Sequence, residues 1–186
     1  NDIKTSQGMA ILASSEGLNT GNIIINSGTL GESSVGVYNE GTFSMTGGLV
    51  DLASPKGIGI YAKNNSAVTT VTGGIIRVSN GAIGLYADDK GNLGNGATID
   101  LTGGAKLEVN TGGLMLYNYS GTSGNPVGKF NVTGTVNTDI NAGGTAFYFK
   151  GVPSGINSFL TNMVTGSGNL NIKLTSSDSS LFVLDN

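Results

Sequence analysis

The chain has 186 residues, 12 acidic and 9 basic, for a formal net charge of −3, and it contains no cysteine, histidine or tryptophan. Those absences exclude disulfides, thiolate metal sites and the commonest general base, and without a basic cluster there is no electrostatic footprint for nucleic acid. Glycine reaches 32 residues against 3 prolines while charge is only 11%, and with Asn, Thr, Ser, Val and Ile enriched the composition predicts an all-β chain with frequent backbone reversals.

In chain order, MAILA (9–13) and GNIIINSG (21–28) read as the first and second strands of an opening coil, with Leu12 where later units carry tyrosine. The phrase then recurs as VGVYN (Tyr38), IGIYA (Tyr61), IGLYA (Tyr86), LMLYN (Tyr117) and TAFYF (Tyr148). A second phrase, Thr-Gly, falls at Thr46, Thr72, Thr102 and Thr133. From each such threonine to the next tyrosine the interval is 15, 14, 15 and 15 residues, whereas from tyrosine to the following threonine it is 8, 11, 16 and 16. One arc is constant and the other absorbs all length variation, as in a coil with two tight corners and one that tolerates insertions.

Alternating apolar residues divide each repeat into three short strands. The first is expected to point Val35/Val37, Ile58/Ile60, Ile83/Leu85 and Leu114/Leu116 inward. The second pairs are Phe43/Met45, Thr69/Val71, Ile99/Leu101 and Phe130/Val132, and the third are Val50/Leu52, Ile76/Val78, Leu107/Val109 and Thr138/Ile140. NLNIKLT then reads as another third strand with Leu170, Ile172 and Leu174 inward, and SLFVL as the start of a further coil.

If each strand pairs in parallel with its equivalent one coil on, apolar pairs stack on apolar pairs and corner glycines on corner glycines. The predicted fold is a right-handed parallel β-helix of about six coils, right-handed because parallel crossovers are. An isolated coil of about 25 residues buries too few side chains, at about 1.5–3 kcal/mol each, to offset its ordering entropy. Residues 1–186 are therefore expected to form a single β-helix segment of a longer protein, with further coils at either end. There is neither a signal peptide nor an apolar run long enough to span a membrane.

Equivalent outward positions become columns. Tyr38, Tyr61, Tyr86, Tyr117 and Tyr148 form an aromatic one, beside Gly36, Gly59, Gly84, Met115 and Ala146. It is either a strip for a glycan or protein partner beside a shallow groove, or a ladder that covers the sheet. The threonine column is structural. A charged column runs Asp51, Arg77, Glu108, Asp139 and Lys173. Within it Glu108 and Asp139 are adjacent carboxylates, weighed as a Ca²⁺ site or acid/base pair against a solvated face. The long corners DDKGNLGNGAT and SGTSGNPVGK are the natural seat of specificity, although Asp88, Asp89, Asn92 and Asn95 match no calcium-loop spacing. Asn64, Asn118 and Asn131 head glycosylation triplets of a kind that chance supplies in such a composition. No metal, cofactor or catalytic residue is assigned.

The rhythm GNIIINSGTLGESSVGVYNEGTFSMTGG, with its Asn-x-Gly corners and Gly-x-Tyr strands, resembles the passenger repeats of bacterial type V autotransporter adhesins, especially fusobacterial ones, over about residues 8–148. The resemblance implies a rod displayed at the cell surface beyond the outer membrane, attaching to a protein or glycan on host cells or other bacteria, with no membrane contact by this segment and no catalytic residues. The alternatives are a β-helical polysaccharide-degrading enzyme and a passive spacer.

Overall fold

The computed structural model describes residues 2–4, 9–13, 16–19, 24–26, 34–63, 67–88, 98–119, 129–150 and 163–185. They form a right-handed parallel β-helix of three sheets. First strands of successive coils are β2 (Met9–Ala13), β5 (Val35–Asn39), β8 (Ile58–Lys63), β11 (Ile83–Asp88), β14 (Leu114–Tyr119), β17 (Thr145–Lys150) and β20 (Ser180–Asp185), which pair in that order as a seven-stranded sheet, here the tyrosine sheet. Second strands β3 (Glu16–Asn19), β6 (Thr42–Met45), β9 (Val68–Val71), β12 (Thr98–Thr102), β15 (Lys129–Thr133) and β18 (Val164–Thr165) make a six-stranded sheet, the threonine sheet. Third strands β1 (Asp2–Lys4), β4 (Ile24–Asn26), β7 (Leu49–Leu52), β10 (Gly74–Val78), β13 (Ala105–Val109), β16 (Thr135–Ile140) and β19 (Asn169–Leu174) make the seven-stranded charged sheet. Six complete coils run from β2 to β19.

The inward pairs expected of the second and third strands, from Phe43/Met45 to Phe130/Val132 and from Val50/Leu52 to Thr138/Ile140, are all buried. They join one continuous core with Val37, Ile60, Leu85, Leu116 and Phe147. Burial of this kind, at about 1.5–3 kcal/mol per large side chain, is the main stabilising term. In β19, Leu170 and Ile172 pack partly against the core, while Leu174 is exposed.

Leu174 thus departs from its expected inward position, because β19 is the end strand of the charged sheet, and two further expectations are corrected. GNIIINSG is not a second strand: β4 within it pairs with β7, Ile24 against Leu49, so it is a third strand. The second strand is β3, in which Gly17 stands opposite Phe43 and Leu18 opposite Ser44, leaving no apolar alternation to read. The second correction concerns the first strands. Val35, Ile58, Ile83 and Leu114 are half-buried and lie outside the core, whereas Gly36, Gly59, Gly84, Met115 and Ala146 are buried beside the inward Val37, Ile60, Leu85, Leu116 and Phe147. Two consecutive residues face inward, so the alternation slips by one. The slip sits where backbones approach closely: a Cβ on Gly36 would lie 2.7 Å from the Gly59 carbonyl oxygen, and one on Gly59 2.8 Å from that of Gly84.

The corners divide as the intervals predict. Thr-Gly-Gly turns the chain from the threonine sheet to the charged sheet, with Gly48 and Gly74 at φ of 89° and 91°; a Cβ on Gly73 would come within 2.5 Å of the Thr46 carbonyl oxygen below it. The next corner closes with the same four-residue turn wherever it is described: Gly57 N–H donates to Ser54 O, Ala82 to Ser79, Gly113 to Asn110, Gly144 to Asn141 and Ser179 to Ser176. The remaining corner, between the tyrosine and threonine sheets, is short from β5 to β6 and long from β11 to β12, from β14 to β15 and from β17 to β18. The three longest connections leave from this edge, while the stretch 27–34 between β4 and β5 lengthens the corner from the charged to the tyrosine sheet.

Candidate functional site

The tyrosine column is in register: Tyr38, Tyr61, Tyr86, Tyr117 and Tyr148 stand opposite one another in successive coils, Leu12 precedes them and Val183 follows. The parallel ladder sets this stacking, because equivalent residues repeat at the strand spacing of about 4.8 Å. Tyr61 and Tyr86 stack with centroids 5.1 Å apart and planes 20° from parallel, while Tyr38 meets Tyr61 edge-on at 5.2 Å. The Tyr38 hydroxyl donates to Glu40 Oε1 at 2.9 Å and accepts from Lys63 Nζ at 2.8 Å; that ammonium also lies 5.5 Å from the Tyr38 ring centre. The hydrogen bond to Tyr38, then the Glu40 carboxylate, raises the Lys63 pKa above its ordinary value. At the other end the Tyr148 hydroxyl donates to Asp185 Oδ2 at 2.6 Å.

The small residues expected to open a groove beside the rings do not lie beside them. Met115 and Ala146 are fully buried, and the three glycines occupy the same inward position. The outward neighbours are the half-buried Val35, Ile58, Ile83 and Leu114, which are themselves in register. The face thus carries two parallel rails, one aliphatic and one phenolic, separated by the slipped pair. Beneath its edge, fully buried Asn39 donates to Thr69 Oγ1 and the Val68 carbonyl and accepts from the Gly41 N–H, holding the short corner closed.

On the charged sheet Asp51, Arg77, Glu108, Asp139 and Lys173 stand in one column. Arg77 Nε donates to Glu108 Oε2 at 2.7 Å and Nη1 to Asp51 Oδ2 at 3.2 Å. Lys106, which the sequence reading passed over, places Nζ 2.9 Å from Glu108 Oε1 and 3.2 Å from Asp139 Oδ2. The signal for it was present: a residue two before Glu108 shares its face of the strand. Burial pushes the Glu108 carboxyl up, but hydrogen bonds and charge from Lys106 and Arg77 outweigh it and hold its pKa below the usual value. The adjacent carboxylates are therefore bridged by an ammonium ion. This arrangement leaves neither a proton shared between two acids nor an open bidentate cation seat.

Of the threonine column, Thr102 stands opposite Thr133, and the Thr72 N–H is bonded to the Met45 carbonyl one coil before it. Asp89, Asn92, Asn95, the stretch 120–128 and the triplet headed by Asn64 lie outside the described residues; Asp88 ends β11 and Asn118 lies within β14. The amide nitrogen of Asn131 donates to Asp100 Oδ1 at 2.9 Å across the threonine sheet, engaging one of its two hydrogens. Among the described residues no three acidic side chains gather as a metal site.

Compared with protein-family models, with curated proteins and with solved structures, the chain finds no match.

Proposed function

We propose that the segment is an adhesive stalk within the passenger of a bacterial type V autotransporter, displayed beyond the outer membrane and attaching to a protein or glycan of host cells or other bacteria. The observation that carries the reading is the in-register tyrosine column on an outer sheet, its central rings stacked at 5.1 Å. Aromatic groups held by a rigid ladder lose little entropy on binding. The repeat style supports the class of protein, and the ladder supports the face. An enzymatic reading fares worse, because Lys106 occupies the space between Glu108 and Asp139 that acid/base chemistry needs.

A passive spacer is the second reading, and it too has an observation behind it: the hydroxyls of Tyr38 and Tyr148 are engaged inside the chain. Changing Tyr61, Tyr86 and Tyr117 together to Ser separates the two. Adhesion of the surface-displayed variant to host or bacterial cells is expected to fall about tenfold or more, equivalent to about 1.4 kcal/mol, with the β-sheet circular dichroism retained. Unchanged adhesion leaves the spacer reading in place.

A further inference from the structure

We infer that the two rails of the tyrosine sheet form a track for a linear, uncharged glycan chain lying parallel to the helix axis, with successive sugars on successive coils. This rests on the tyrosine face being the binding face, as proposed above. The aliphatic rail is Val35, Ile58, Ile83 and Leu114; the phenolic rail is the tyrosine column one slipped pair away.

Three observations narrow the occupant. The first is charge. The Lys63 ammonium and Glu40 carboxylate at the margin are 3.6 Å apart and offset each other, the Asp185 carboxylate accepts from the Tyr148 hydroxyl at the far end, and both rails are uncharged, so a neutral partner is complementary where a polyanion is not. The second is width. Five residues at about 3.3 Å make each strand of this face about 16 Å long, a narrow strip that suits a single extended chain lying along the helix axis.

The third is period. Ring centres repeat at 5.2 and 5.1 Å, and an extended β-1,4-linked pyranose chain, whose diequatorial linkages keep its rings nearly collinear, advances by close to the same distance per sugar. An extended peptide presents same-face side chains every two residues, about 6.6 Å apart, and falls out of step. Because Tyr61 and Tyr86 stack face to face, sugars meet that part of the ladder through ring edges and phenolic oxygens, a phenol being able to donate and to accept; the Tyr38 and Tyr148 hydroxyls already donate to Glu40 and Asp185 and can only accept. The axial C–H face of each sugar packs on the aliphatic rail.

The test uses the 186-residue chain with cellohexaose and chitohexaose as probes and maltohexaose, whose α-linkages curl the chain, as the geometric control, followed by calorimetry and by NMR of the sugar protons. Expected are affinity rising with oligosaccharide length up to about five sugars, one per tyrosine rung, and no comparable binding of maltohexaose. Tyr61→Phe with Tyr86→Phe, and separately Ile58→Ser with Ile83→Ser, should each weaken binding about tenfold, with folding checked by circular dichroism. Arg77→Ala, on the charged sheet, should leave it unchanged. No binding of either β-linked hexaose at millimolar concentration, equal binding of maltohexaose, or affinity indifferent to both double variants overturns the inference. So does concentration-dependent dimerisation abolished by the same variants, which would assign the face to a second copy. Loss of cell adhesion in the tyrosine-to-serine variant without glycan binding would sink this inference while leaving the adhesive reading intact.

Discussion

The charged sheet and the tyrosine sheet are built on one core with one rung spacing, yet they use their outer faces differently. On β7, β10 and β13 alternation is strict: Val50, Ile76 and Leu107 point in, Asp51, Arg77 and Glu108 point out, and Leu52, Val78 and Val109 point in again. Outward residues there form a close lattice in which each charge reaches its neighbours, and five ionic contacts among Lys63, Arg77 and Lys106 and their carboxylates include four on this sheet alone. On β5, β8 and β11 the slip at Gly36, Gly59 and Gly84 puts two residues inside together and spreads the outward columns apart. The strict sheet closes its outer face on itself, whereas the slipped sheet leaves two separate rails. Function is better sought on the second.

If the core is common property, damage to it should not distinguish the sheets. Ile76, under the charged face, and Leu85, under the tyrosine face, are both fully buried. Each change to Ala is expected to cost about 2–5 kcal/mol, read as the shift in urea midpoint. Costs differing by more than about twofold would mean that one side of the interior can collapse around the cavity and the other cannot.

A smaller effect tests the slip itself. Gly59→Ala would set a methyl group 2.8 Å from the Gly84 carbonyl oxygen and 3.4 Å from Ile76 Cγ2, and overpacking of that kind costs about 1–3 kcal/mol. By contrast, Met115 and Ala146 occupy the same inward position one and two coils beyond Gly84 with side chains in place. Ala146→Gly should therefore cost only its lost contacts, about 1 kcal/mol. A neutral Gly59→Ala would place that residue on the outer face and restore strict alternation.

The same contrast explains what could be read in the sequence. Phe43/Met45, Val50/Leu52 and their equivalents declared their faces because bulky apolar residues alternate with polar ones, and the charged column followed from counting. In the first strands, glycine at 36, 59 and 84 has no side chain to announce a direction, so Val35 and Val37 looked like one alternating pair. A backbone approach between coils, not a side-chain preference, sets the phase there. Lys106 was missed for a different reason. Columns were read one residue wide, and a long side chain reaches diagonally to both Glu108 and Asp139. The second strand of the first coil, EGLN, has no pattern at all and is held by pairing with β6.

The smallest expected effect belongs to the charged sheet and concerns pH. Glu108 has a side chain 17% exposed and carries bonds from both Arg77 and Lys106, so its folded pKa lies below its unfolded one. A depressed carboxylate stabilises the fold fully above the unfolded value, about 4.3, and that contribution disappears as pH falls through the lower folded value. Lys106, raised by Glu108 and then Asp139, behaves oppositely: its contribution is whole below about 10.4 and fades as pH rises beyond the folded value. Because the partners are partly exposed, Glu108→Gln should cost about 1 kcal/mol or less at neutral pH, and less still in high salt. Urea midpoints of the parent and Glu108→Gln should converge as pH falls from 5 towards about 3. A gap that stayed constant over that interval would show that Glu108 acts through packing alone, and the charged face would then be no more self-sealed than the tyrosine face opposite.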